Sequence, residues 1–175
     1  MLNRRTLAVA LAGTALLGRA TLAQTNPAAV QQNLQGLSPD ALRTLALQGG
    51  AFLMQSAQIA VDKPTRAPLK QFAQFEVDEQ QGIMRTLQLA GYQVAPPALT
   101  PDKTMLLQRL TSATENGFEP LFVEAQMTAH QEAANVYNAM VRSTAAPLPD
   151  RVLASLALGR IDEHMKMLAG MLAAR

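Results

Sequence analysis

Four side chains carry most of the chemistry in this sequence: Glu76, Glu79, His130 and His164. The two histidines are the only ones in a chain of 175 residues. Glu76 and Glu79 stand three apart in FAQFEVDEQ, a spacing that puts both on one face of a helix. His130 lies in FVEAQMTAHQEAANVY and His164 in RIDEHMKML, both of helical pattern. Carboxylates and imidazoles from facing helices are the usual ligands of a divalent metal inside a helical protein. The set therefore suggests one metal ion: iron, zinc, manganese or copper.

A second reading needs no metal. An unpaired carboxylate in a core costs several kcal/mol, so an inward Glu76 and Glu79 must be satisfied somehow. A proton shared between them would do it, as would protonated His164 or Arg160. The four residues would then be a buried hydrogen-bonded network near a bundle end. A dinuclear iron site is disfavoured, because such bundles use Glu-x-x-His on two helices. Position 127 is Met and position 161 is Ile, and no acid lies between Ala41 and Val61.

Other chemistry is weaker. There is no cysteine, hence no thiol nucleophile. Ser56, Ser112 and Ser155 lack any nucleophile-elbow or Ser-x-x-Lys context. No glycine-rich phosphate loop or dinucleotide fingerprint is present. Met165, Met167 and Met171 surround His164 in sequence and could suit copper(I), but methionine more often fills helical cores. No catalytic residue is assigned.

The elements that position these groups read as helices. Ala, Leu, Met and Gln dominate, aromatics are 4%, and no period-two stretch is sustained. Ser38-Pro39 and Thr100-Pro101 are caps followed by proline at the first helical position. The first helix should run to about Val61, with Gly49-Gly50 bending it or allowing close approach. The second should run from Pro68 to Ala90, closed by Gly91. A third helical region covers about 101–142 with a break at Glu115-Asn116-Gly117, and a fourth starts at Asp150. Leu69, Phe72, Ile83, Leu87 and Ala90 stripe the second helix, with Glu76 and Glu79 inside the stripe. His164 is central in the stripe of the last helix. Gln126 and His130 flank the stripe of the third. The expectation is an all-α, antiparallel four-helix bundle over residues 38–175.

The N-terminus reads as an export signal. Arg4 and Arg5 precede an apolar stretch of 11 residues, Leu7 to Leu17, too short for the roughly 20 needed to span a bilayer. Thr21-Leu22-Ala23 offers a cleavage site after Ala23. Both a twin-arginine and a general secretory route fit. Residues 24–37 read as a polar, mostly disordered linker. Removing Arg4, Arg5 and Arg19 from 15 basic residues leaves 12 against 13 acidic, a net charge of −1. No basic run is left for nucleic acid or a membrane surface, and no transmembrane span is expected in the mature chain. A protein partner or a homo-oligomer is compatible with such a surface.

FAQFEVDEQ, GFEPLFVEAQMTAHQEAANVY and LGRIDEHMKML together resemble the bacterial family called domain of unknown function 4142. The resemblance covers most of residues 40–175. It implies an exported, ferritin-like four-helix protein of the kind labelled predicted outer membrane protein, in the periplasm or associated with the outer membrane. Where this chain has Gln80, many members carry His. The resemblance implies architecture and compartment, not a reaction. Two roles follow as expectations: a non-catalytic binding or envelope-stress protein, or a metal-binding or redox bundle.

Overall fold

Ser38 has extended backbone, and its hydroxyl accepts a hydrogen bond from the Ala41 amide at 3.2 Å. Pro39 follows with φ already suited to a helix, and α1 runs Pro39–Asp62. Ser38→Ala should cost about 1 kcal/mol, the usual worth of an N-cap. Urea unfolding would read it, and an unchanged midpoint would deny the cap its role.

The computed structural model describes residues 33–95 and 97–173. The expected signal peptide, 1–23, lies outside them, as does most of the expected linker. The linker's last part departs from the expectation, because residues 33–35 form a helical turn and Leu34 packs against the core. After α1 come α2 (Ala67–Leu89), α3 (Pro101–Ser112), α4 (Glu115–Arg142) and α5 (Leu148–Ala173). Among the described residues there is no strand. No helix there is long and apolar enough to cross a membrane.

Gly91 ends α2 as expected. It takes φ of 88°, which a side chain would oppose, and Tyr92 N–H bonds back to the Leu87 carbonyl. The third helical region is broken earlier than expected. The gap is Ala113–Thr114, both extended, whereas Glu115-Asn116-Gly117 forms the first turn of α4. The α5 helix likewise begins before Asp150, at Leu148-Pro149.

Packing follows the apolar stripes. α1 packs on α2 and α4, α5 on α4 and α2, and the short α3 lies against α1 and α4. Buried side chains form two clusters. One is built around Phe52, Phe72, Phe118, Phe122 and Leu168, the other around Leu42, Val136, Tyr137, Met140 and Ile161. Along α4 the first cluster ends at Ala129 and the second begins at Ala133. Along α5 the second ends at Ile161, and the first resumes at Leu168. His130 and His164 occupy those two gaps.

Candidate metal centre

Glu76 comes from α2, His130 from α4 and His164 from α5, and all three are buried. The Glu76 side chain is 0% exposed. Its Oε2 lies 3.0 Å from His164 Nδ1 and 3.1 Å from His130 Nε2. Those two nitrogens are themselves 3.1 Å apart. Three donor atoms from three helices thus form a nearly equilateral triangle. The network is not at a bundle end, as the sequence suggested, but is a polar layer between two apolar clusters.

The outer atoms of each residue decide what the inner ones carry. His130 Nδ1 is 2.8 Å from the Gln126 backbone carbonyl, which only accepts, so Nδ1 holds a proton and donates it. With its one ring proton on Nδ1, His130 turns the lone pair of Nε2 into the triangle. His164 Nε2 faces Glu79 Oε2 at 3.5 Å, beside Arg160 Nε at 3.4 Å. Glu79 Oε2 is buried without a hydrogen bond, so it stands as an acceptor for a proton on His164 Nε2. With that proton in place, His164 too turns a lone pair inward. Glu76 adds a carboxylate oxygen. Three electron-rich atoms about 3 Å apart repel one another unless a cation lies among them. The cation is either a proton or a metal ion.

Charge follows the same logic. Burial would raise Glu76, but with a proton held in the triangle its contacts with His130 and His164, then Gln80, outweigh burial and hold the carboxyl at about 2. Burial pulls His164 down, yet the hydrogen bond and charge of Glu76, then Glu79, carry it above the usual imidazole value. Glu79 is pushed up, chiefly by burial. Glu79 is nonetheless less deeply placed than its helical stripe suggested. Its side chain is 17% exposed and stands behind His164 rather than in the triangle.

The donor set suits a metal. One atom each from Glu76, His130 and His164 can be chosen within 4.8 Å of one another. Two imidazoles and a carboxylate are the ligands of open zinc and iron sites, in which further positions are left for water or substrate. The outer contacts match as well, since metal-bound histidines usually donate their second N–H to a carbonyl or carboxylate. His130 does so to Gln126, and His164 is poised to do so to Glu79. Phe72 closes the layer from the apolar side, its ring edge-on to His164 at 5.2 Å. Met171 is core, and Met165 and Met167 pack against the clusters.

Three residues named in the sequence support the triangle through contacts that the sequence does not give. Gln80 Nε2 donates to Glu76 Oε1 at 2.8 Å, a bond that the i, i+4 spacing permits. Gln126 is 0% exposed and donates to Leu53 O and Ser56 Oγ, tying α4 to α1. Gly50 leaves room for Gln80: a Cβ there would meet Gln80 Oε1 at 2.5 Å. This is the close approach that Gly49-Gly50 suggested, carried by Gly50, while α1 runs through both. Gly50→Ala must displace a flexible amide, and helix propensity returns roughly 0.5–1 kcal/mol, so net stability should change by less than about 1 kcal/mol. Metal affinity should fall as Gln80 leaves Glu76. A calorimetric titration with unchanged affinity would sever that link.

No curated protein and no solved structure matches the chain. The family model of the domain of unknown function 4142 matches residues 21–171, nearly the whole chain, and the protein belongs to that family.

Proposed function

We propose that this protein binds one divalent first-row metal ion, held by Glu76, His130 and His164, with Glu79 and Gln126 orienting the imidazoles. The observation that carries the reading is the triangle of one carboxylate oxygen and two imidazole nitrogens 3.0–3.1 Å apart. Iron(II) and zinc(II) suit two imidazoles and a carboxylate best. We place the protein in the periplasm, on the export signal at its N-terminus. We read its fold as a ferritin-like antiparallel bundle of α1, α2, α4 and α5. The opposite order of the two core clusters along α4 and α5 supports this, as does the ring of neighbours.

The test is metal content by elemental mass spectrometry on untagged protein taken from the periplasm. One equivalent of metal is expected. No metal after incubation with iron, zinc, copper and manganese would end the reading. Glu79→Gln should bind the ion about 10–100-fold more weakly without abolishing it, the usual effect of losing an outer partner. Competition with a chelating dye measures this, and full loss would move Glu79 into the ligand set.

One surface favours a further role as a non-catalytic binding protein. Phe75, Val152 and Leu156 are exposed at 44%, 50% and 68%, and Phe75 and Leu156 border a groove between α2 and α5. Pull-down with Leu156→Glu beside wild type would test it, and identical captured sets would count against it.

A further inference from the structure

A cavity of about 30 Å3 lies among α1, α2, α4 and α5, under the loop that carries Val94. Its walls include Leu47, Met54, Ile83, Met140 and Leu153, with Arg43, Asp150, Gln80 and Tyr137 at its polar edges. A second, of about 10 Å3, is lined by His130 and Glu79 of the polar layer. Ala46, Gly50, Gln80, Ile83 and Tyr137 border both, so the two spaces meet across these residues. The Gln80 amide, seated over Gly50 and bonded to Glu76, stands between the apolar space and the metal ligands.

Size and lining select the guest. One water needs about 10–15 Å3 of such volume and two to four polar partners. The larger cavity has room for about two such atoms; Arg43 and Asp150 are paired with each other and the Gln80 amide with Glu76, and most of the remaining wall is hydrocarbon and thioether. Water is poorly held there, and a small apolar molecule is not. The geometry points to a binding pocket and inward passage for a diatomic apolar gas, dioxygen in size and polarity, that ends at His130 beside Gln80. This rests on the metal reading only for what the gas meets at its inner end. The pocket itself exists without the ion.

The test uses the full chain freed of metal, with dissolved dioxygen as the probe. Being paramagnetic, dioxygen speeds the nuclear relaxation of groups it visits. The methyls of Leu47, Met54, Ile83 and Met140 and the His130 ring should relax several-fold faster under oxygen than the methyls of Leu110 and Leu168. Those two are 0% exposed in the cluster around Phe72 and Phe122, away from both cavities, and serve as the control. Ala46→Met puts a side chain where the two spaces meet and should remove the enhancement at His130 while circular dichroism stays unchanged. Ala51→Val is a smaller plug in the outer cavity and should reduce the enhancement at Met54. Equal enhancement at the cavity methyls and at Leu110 and Leu168, or an effect at His130 untouched by Ala46→Met, would overturn the proposal. Protein that holds no metal but shows the enhancement keeps the passage and loses the centre. Protein that holds metal and shows none keeps the centre and loses the passage.

Discussion

Glu76→Gln should abolish metal binding and leave the helices standing. The carboxylate oxygen at 3.0 and 3.1 Å from the two imidazole nitrogens is the only negative ligand in the triangle. An amide there is nearly the same size, but it brings no charge and binds a divalent ion poorly. The loss in affinity should exceed the roughly 10–100-fold typical of an outer partner. Stability should behave differently. Removing one member of a buried ion pair commonly costs about 3–5 kcal/mol, because the other is left charged and unpaired. Here the introduced amide would supply N–H donors to the lone pairs of His130 Nε2 and His164 Nδ1, and both histidines can stay neutral. The metal-free variant should therefore lose no more than the roughly 3 kcal/mol that the ionised carboxylate contributes, the low end of the cost of a broken pair. Metal content together with urea denaturation separates the two effects. A variant that keeps its metal would show that Glu76 is a structural acid. A variant that fails to fold would show that its charge holds the helices together.

Much of this is legible in the sequence because it is local. Ser38-Pro39 and Thr100-Pro101 set helix starts, Gly91 sets a stop, and the stripes put Glu76 and His164 inward. What the sequence hides depends on how many neighbours a helix has. The helical wheel puts His130 and Gln126 on a flank, yet they are 1% and 0% exposed. A wheel assumes one buried side, whereas α4 packs against α1, α3 and α5, so its buried arc is much wider. The error runs the other way at the far end of α2. Ala90 belongs to the stripe by spacing but is exposed in the turn that follows Leu89. Gly50 and Gln80 meet across 30 residues of chain, and no local pattern announces such a pair.

The metal and the proton should also compete, and their pH dependences run in opposite directions. In metal-free protein the His164 pKa is raised. Its contribution is complete below the unfolded imidazole value near 6.5 and is lost as pH rises through the folded value. Glu79, also raised, adds a loss of the same sign as pH rises above the ordinary carboxylate range. Glu76 works from the acid side. Held at about 2 rather than 4.5, it contributes on the order of 3 kcal/mol above pH 4.5, which disappears as pH falls toward 2. Metal-free protein should therefore be most stable between about pH 4.5 and 6.5 and weaken toward pH 8. A metal ion takes the place of the inner proton, so its binding strengthens as pH rises, up to tenfold per unit for each proton displaced. At a free concentration of 100 times the dissociation constant it stabilises the fold by about 2.7 kcal/mol. The gap between metal-saturated and metal-free unfolding midpoints should thus widen from pH 5 to pH 8 in wild type and stay closed in Glu76→Gln. Urea titrations at several pH values, with zinc and with chelator, measure both curves. A gap that does not change with pH would mean that ion and proton occupy different places, and the triangle would then be a proton trap alone.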